Sequence, residues 1–250
     1  MAAPLTDQAI AGIKDMIMSG EFAAGSKLPK EQELAQRLGL SRNSLREAVR
    51  ALTLIGVLEP RVGDGTYVTS LEPALLLAGI GFVGDLLTGS RLLELHQVRR
   101  MLEPAATGMA ATRLTEDDLE ALRGRLEEME AAGTLEAFIA ADQEFHRIIV
   151  TASGNSTLAS LVENLSAGTL RARLWRSVSE RGAIESTKQR HRDIYEALRA
   201  RDAQRAEAAD MIHLSEGEQW LQQMVEDDSN ERRTAGVPAE TVVGDGSAWT

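Results

Sequence analysis

Three histidines and one aspartate stand where their side chains could share a metal ion. His146, His191 and His213 each fall on the apolar face of a different predicted helix, and Asp142 lies one turn before His146 on the same face. An imidazole or carboxylate without a partner is costly to bury. A metal ion would satisfy all four groups, and this set of nitrogen and oxygen ligands suits Zn²⁺, Ni²⁺, Co²⁺ or Mn²⁺. The spacing alone equally fits histidines that are hydrogen-bonded inside an ordinary core.

Arg99 is a second polar residue at an inward position. It follows Leu95 by four residues and precedes Leu102 by three, which places it on an apolar helix face. Arginine keeps its charge, so a buried guanidinium needs an anion. That anion is either an internal carboxylate such as Glu103 or the carboxylate of a bound ligand. Asn155 has a similar pair of interpretations, as the cap of the next helix or as a polar contact to the ligand.

Near the N-terminus, an arginine stripe points to different chemistry. Arg42, Arg46 and Arg50 are four residues apart and therefore share one helix face. Asn43 and Ser44 lie at the start of the same helix, where a recognition helix meets base edges. Arginine suits guanine edges and phosphates, and asparagine pairs with adenine. A solvated charged face would also explain such a stripe, but the elements on either side of it favour DNA binding.

The elements around the stripe follow helix-turn-helix spacing. Residues 31–38 form a short amphipathic helix, Gly39-Leu40 breaks it, and Ser41 is a suitable N-cap for the helix that carries the arginines. Two helices joined by such a turn make a helix-turn-helix unit. A further helix at residues 5–19 has isoleucines at helical spacing, so we expect it to pack behind the unit.

A two-stranded wing follows the second helix of this unit. Short extended runs at 57–59 and 66–69 flank a turn that contains Gly63 and Gly65, which tolerate positive φ. Residues 1–70 are therefore predicted to form a winged helix-turn-helix domain of three helices and a two-stranded wing.

The rest of the chain is predicted to be helical. Residues 71–89 are interpreted as a linker with a connecting helix, and residues 90–226 as an all-α bundle of six or seven helices. Residues 227–250 are polar and then rich in Gly, Pro, Ser and Thr, and we expect them to be disordered. The predicted helices of the bundle span 90–112, 115–132, 134–152, 155–180, 184–200 and 203–226.

Composition excludes several classes of protein. The 250 residues include no cysteine, which excludes disulfides and thiolate metal sites. No apolar run approaches the roughly 20 residues that a membrane-spanning helix needs. The first ten residues lack the pattern of a signal peptide, so we expect a cytoplasmic protein that does not bind membranes.

The net charge of −11 is unevenly distributed. Residues 1–70 hold equal numbers of acidic and basic residues, so the whole acidic excess lies beyond residue 70. An acidic second part repels DNA and leaves DNA contact to the first part.

Residues 20–68 resemble the N-terminal domain of GntR-family bacterial transcription regulators. The Leu-Pro, Glu-Leu-Ala, Ser-Arg, Leu-Arg-Glu-Ala and Gly-x-Gly-Thr elements of that family are all present. Gln32 is a departure, because the family usually has a DNA-contacting arginine there, and the operator preference is expected to differ. The resemblance and the stripe together predict DNA contacts from Gln32, Arg42, Asn43, Ser44, Arg46, Arg50, Gly63 and Gly65.

Residues 99–224 resemble the FCD ligand-binding domain of the FadR-type branch of that family. The resemblance is carried by LHQVRRMLEPAATGMAA, by DQEFHRIIVTASGN and by the histidines of the last two helices. In metal-binding members of the branch, one aspartate and three histidines hold the ion. Asp142, His146, His191 and His213 match those positions one for one, and the resemblance implies that Arg99 holds a ligand carboxylate.

The sequence therefore predicts a homodimeric transcription regulator, a repressor, which is not an enzyme. Two winged helices would read the half-sites of a pseudo-palindromic operator, and a small organic acid would bind near a divalent metal ion, Zn²⁺ first. Three alternatives stay open: a sensor of the metal itself, a metal-dependent enzyme domain fused to a DNA-binding domain, and a helical domain that only dimerises.

Overall fold

A computed structural model describes residues 4–170, 176–177, 180 and 182–234 of the protein. The chain divides into two compact units, Met1–Phe82 and Val83–Thr250. The division falls inside the stretch 71–89 that the sequence predicts as a linker. No helix among the described residues is long and apolar enough to cross a membrane.

The first unit is the predicted winged helix-turn-helix. The strands pair antiparallel with Leu58 opposite Val68 and Arg61 opposite Gly65, which forms the wing. The prediction of three helices and a two-stranded wing is confirmed. The elements are α1 (Leu5–Met18), α2 (Glu31–Leu38), α3 (Arg42–Leu54), β1 (Leu58–Arg61) and β2 (Gly65–Val68).

Local signals explain the ends of these helices. Gly39, after α2, has a φ of 66°, a conformation that glycine adopts without strain. The Ser41 hydroxyl accepts a hydrogen bond of 3.1 Å from the Ser44 backbone N–H and so caps α3. Ile13, Leu34 and Leu45 are buried where the three helices meet, and this packing fixes α3 with its arginines outward.

Two short helices follow the wing where the sequence predicts one connecting helix. They are α4 (Pro73–Leu76) and α5 (Ala78–Leu86). Gly84 of α5 lies against Gly168, and a Cβ atom built on Gly84 would stand 2.7 Å from the Gly168 Cα atom. A side chain at either position would therefore force the two backbones apart.

The second unit is wholly helical in its described part, as the all-α prediction requires. Thr115 and Asp118 form a capping box, with the Asp118 backbone N–H 3.1 Å from the Thr115 hydroxyl and the Thr115 backbone N–H 2.8 Å from the Asp118 carboxylate. Thr134 caps the next helix in the same manner. The helices are α6 (Ser90–Ala111), α7 (Glu116–Ala131), α8 (Leu135–Ala152), α9 (Ser156–Gly168), α10 (Ala183–Arg199) and α11 (Ala203–Thr234).

Two predicted boundaries are wrong. The helix predicted over 155–180 ends at Gly168, where the Thr169 hydroxyl donates to the Ser166 carbonyl and accepts from Arg99. The last helix continues from the predicted end at 226 to Thr234, because polarity does not break a helix and no Gly or Pro occurs between Gly217 and Gly236. The remainder of the predicted disordered tail, residues 235–250, lies outside the described residues.

Candidate metal and DNA sites

Three helices bring three histidine rings together in the second unit. His146 of α8, His191 of α10 and His213 of α11 have ring centroids 4.7–5.1 Å apart. Each offers a ring nitrogen within 4.8 Å of the other two, which is close enough for one metal ion. Asp142, one turn before His146 on α8, is buried beside two of them, with its Oδ1 atom 3.1 Å from the His191 Nε2 atom and 4.0 Å from the His146 Nε2 atom.

The hydrogen bonds around His191 show which of its nitrogens is available. Its Nδ1 lies 2.7 Å from the Thr187 carbonyl, which can only accept, so the ring proton is on Nδ1. The Nε2 atom of the neutral ring then carries a lone pair. This atom faces the Asp142 Oδ1 atom at 3.1 Å and the His146 Nε2 atom at 3.1 Å.

This geometry fits a bound cation. If the His191 ring is neutral, its Nε2 lone pair and the Asp142 oxygen that faces it at 3.1 Å repel each other. A proton on His191 would relieve one such contact, whereas a metal ion would be attracted by all the acceptors together. Burial lowers the pKa of His213 well below its ordinary value, and the nearby histidines lower it further. His213 is therefore held neutral, which is the form that binds metals.

Arg99 is buried and has internal partners. Its Nε and one terminal nitrogen donate to the Glu103 Oε2 atom at 3.1 and 2.8 Å, and the other terminal nitrogen donates to the Thr169 hydroxyl at 2.7 Å. The internal ion pair that the sequence left open as an alternative is thus present. Arg99 also lines a cavity of about 50 Å³ together with Asp142 and His213.

Three further buried residues lie in this region. The Asp210 carboxyl accepts from the Thr107 hydroxyl at 2.8 Å, and burial and the Glu103 charge raise the pKa of Asp210 well above its ordinary value. Burial opposes ionisation of Glu103, but Arg99 and His146 outweigh it and keep the pKa of Glu103 low. The His96 Nε2 atom lies 2.8 Å from the Leu214 carbonyl. Sequence reasoning did not select Asp210 or His96, although each is three residues from a selected residue on the same helix.

Asn155 is the N-cap of α9, which is one of its two predicted roles. Its side chain accepts a 3.1 Å hydrogen bond from the Leu158 backbone N–H at the start of α9. The residue is exposed. It is not among the described residues that line the cavity of about 50 Å³ or a second cavity, of about 200 Å³, which Arg99 also borders. The capping interpretation is thus present in the structure, and the expected contact of Asn155 with an effector stays a prediction.

The predicted DNA contacts lie on the surface of the first unit. Arg42, Asn43 and Arg46 are exposed along α3, and Arg50 is exposed while paired with Glu47 at 2.9 Å. The Ser44 hydroxyl is 2.9 Å from that of the cap Ser41. Gln32 is exposed on α2.

The wing tip is held by a local network. Gly63 and Gly65 have φ values of 75° and 148°. Lys27 and the Tyr67 hydroxyl both contact the Asp64 carboxylate, at 2.6 and 2.5 Å. A Cβ atom on Gly65 would lie 2.7 Å from the Lys27 side chain, so a larger residue would disturb this network.

Comparison with known proteins decides the family. Residues 5–68 match the family described as bacterial regulatory proteins, gntR family, and residues 94–216 match the FCD domain. The HTH-type transcriptional regulator LutR of Bacillus subtilis strain 168 is 33% identical over 214 residues, which are 82% of this chain and 96% of the relative. The chain belongs to the GntR family.

Other relatives of this GntR-family chain agree. The galactonate operon transcriptional repressor of Escherichia coli K12 is 28% identical over 229 residues, 88% of this chain and 97% of the repressor. The solved structure of Streptococcus agalactiae GntR is 28% identical, with a TM-score of 0.60, and covers 86% of this chain and 99% of that one.

The family establishes the general function. The GntR-family chain is a DNA-binding, metabolite-responsive transcription regulator, and regulators of this family bind operator DNA. That its relatives are transcription regulators suggests that it is not an enzyme. FCD domains commonly bind metals, and the described residues contain a possible site of histidine and carboxylate ligands.

Proposed function

We propose that this regulator is a homodimeric repressor whose affinity for operator DNA changes when a small carboxylate binds beside a Zn²⁺ ion in the second unit. The observation that carries the proposal is the convergence of acceptor atoms on His191, with Asp142 and His146 both 3.1 Å from its Nε2 atom. A bound cation would offset the repulsion among these acceptor atoms.

Four residues of the second unit would hold the ion. Asp142, His146, His191 and His213 supply three imidazole nitrogens and one carboxylate oxygen, a set that favours Zn²⁺ and also accepts Ni²⁺, Co²⁺ or Mn²⁺. The bound metal would supply a positive charge that attracts oxygen atoms of a ligand.

The chemistry of the neighbouring cavity supports an acidic effector. Arg99 borders it, and a guanidinium has five N–H donors, of which three are used by Glu103 and Thr169. The remaining donors suit a carboxylate. The cavity volume of about 50 Å³ favours a small molecule. The name of the galactonate operon repressor from Escherichia coli, a similar protein, points to regulation by a sugar acid.

The first unit would bind the operator DNA. In a homodimer, two copies of α3 would enter successive major grooves with Arg42, Asn43, Ser44 and Arg46 near base edges. Gln32, Arg50 and the wing glycines Gly63 and Gly65 would contact the same half-site. Bacterial DNA lies in the cytoplasm, so we propose that the protein acts there.

A metal sensor is the second candidate. The specific observation in its favour is that Arg99 already has an internal anion, Glu103, so no ligand is needed to balance its charge. In that case the metal alone would change operator affinity.

Metal content tests the proposal. The purified, untagged protein should contain near-stoichiometric metal, and His191→Ala should lose it because the central acceptor is removed. His96→Gln is the matched control, since His96 is also a buried histidine of the second unit but is bonded to the Leu214 carbonyl. Elemental analysis that finds no metal in the wild-type protein under metal-replete conditions would overturn the proposal.

A further inference from the structure

Glu103 is buried between a residue proposed to bind the effector and a residue proposed to bind the metal. Its Oε2 atom accepts two hydrogen bonds from Arg99, at 3.1 and 2.8 Å. Its Oε1 atom lies 3.0 Å from the Nδ1 atom of His146. This approach does not have the geometry of a hydrogen bond, and Oε1 has no hydrogen-bond partner among the described residues, so it is the oxygen that Arg99 leaves for His146.

We infer that Glu103 is a positioning residue that fixes the tautomer and orientation of His146. A neutral imidazole has one N–H, and a carboxylate beside Nδ1 favours the proton on that atom. The Nε2 lone pair is then left for the side of the ring that faces the His191 Nε2 atom, 3.1 Å away. This inference rests on the proposed metal site, whose ligand His146 would be.

A second ligand is arranged in the same way by a different group. The Thr187 carbonyl, 2.7 Å from the Nδ1 atom of His191, fixes the proton there and leaves Nε2 facing the cluster. A backbone carbonyl of the same helix turn performs this role for His191. His146 depends on a side chain from another helix, so its orientation can be changed by one substitution.

The arrangement also connects the two proposed sites. Arg99 and His146 share one carboxylate, and Arg99 borders both a cavity that includes Asp142 and His213 and a second cavity of about 200 Å³ that includes His146. A bound anion that takes the hydrogen bonds of Arg99 away from Glu103 would change the position of the Glu103 carboxylate, which orients His146. Effector and metal affinity are therefore linked through Glu103.

Glu103→Gln is the decisive substitution. The amide oxygen of glutamine would turn to the Arg99 donors, which leaves its NH₂ group beside Nδ1 of His146. A donor at that place favours the proton on Nε2, and a protonated Nε2 cannot bind metal. Zn²⁺ affinity, measured by competition with a chelator, should fall by about 10–100-fold, as for other partners of metal-bound histidines.

Two variants separate this role from a general effect on the buried cluster. Arg99→Met combined with Glu103→Gln frees the amide to turn its oxygen to His146, so Zn²⁺ affinity should recover over that of Glu103→Gln. Glu218→Gln makes the same change of carboxyl to amide in a buried residue that pairs with Arg100 instead, and it should leave affinity nearly unchanged. Equal loss in all three variants would overturn the inference.

A measurement without metal keeps the inference independent of the proposed function. Nitrogen-15 NMR of the metal-free wild-type protein should show the His146 proton on Nδ1, and Glu103→Gln should move it to Nε2. The His146 signals are identified by their loss in His146→Asn. A proton on Nε2 in the wild-type protein overturns the role of Glu103, whereas a wild-type protein that binds no Zn²⁺ overturns the metal site alone.

Discussion

At the scale of single residues, the partners of Arg99 explain how a charged side chain is buried in the second unit. Arg99 is only 1% exposed, yet three of its donors are satisfied by Glu103 and Thr169. A buried ion pair gains little over apolar packing, but the loss of one partner leaves an uncompensated charge. The burial of Arg99 and Glu103 is therefore better explained by the groups that they hold in place than by stability.

The arginines of α3 can be tested one at a time. Arg46→Ala should weaken operator binding by about 1–3 kcal/mol and reduce the dependence of affinity on salt, because an arginine at a base edge or phosphate is removed. Fluorescence anisotropy with a labelled operator, titrated at several salt concentrations, measures both effects.

The control removes the same charge elsewhere. Arg199 is exposed on α10 and pairs with Glu196 at 2.7 Å, so Arg199→Ala should leave operator affinity and its salt dependence unchanged. An equal loss of affinity in both variants would mean that net charge, and not a contact from α3, explains the effect of Arg46.

The sequence predicted the positions of these residues better than their partners. Helical spacing placed Arg99, His146, His191 and His213 inward, as the structure has them. It could not decide between Glu103 and a ligand as the anion for Arg99, because a spacing does not show which side chains of other helices come close. Asn155 was ambiguous for the same reason, and its role as a cap became clear only from the Leu158 N–H.

At the scale of elements, helix starts were predictable because capping is local. Ser41 and Asn155 cap the helices that the sequence assigned to them, and Thr115 and Thr134 cap α7 and α8 where the predicted spans begin. The end of α9 was missed because its cause is not local. Thr169 is held by Arg99, seventy residues earlier in the chain.

The contact of α5 with α9 gives a prediction at this scale. Gly84→Ala should destabilise the second unit by about 1–3 kcal/mol, because the new methyl group would overlap the Gly168 backbone and separate the helices. Chemical denaturation followed by circular dichroism measures the change.

Gly79 offers a matched control in the same helix. A Cβ atom there meets nothing within 4 Å, so Gly79→Ala should be neutral or stabilise α5 by up to about 1 kcal/mol, as alanine does in exposed helix positions. If both variants had the same stability, the close approach of the two helices would be refuted.

At the scale of the whole molecule, charge and chemistry are divided between two units. Residues 1–70 hold equal numbers of acidic and basic residues and present the exposed arginines, while the acidic excess and the histidine cluster belong to the rest of the chain. Length, composition and the change from strand-containing to helical pattern were enough to predict this division. The cavity beside Arg99 was not predictable, since its volume depends on how six helices pack.

Regulation requires that effector binding to the second unit changes the free energy of DNA binding by the first. An effector alters DNA affinity only if it binds the DNA-bound and DNA-free arrangements with different affinity. A metal ion likewise alters DNA affinity only if it binds the two arrangements with different affinity. If the ion forms part of the effector site, it should be needed for the response and should not itself produce it.

Operator release is therefore the most direct measurement. Labelled operator would be bound to the Zn²⁺-loaded protein, to chelator-treated protein and to Asp142→Ala, and each would be titrated with small hydroxy acids and sugar acids. If the effector binds beside the metal, an acid that changes operator affinity will do so only with the metal-loaded wild-type protein. An equal response without metal, or a change of affinity on adding Zn²⁺ alone, would contradict it.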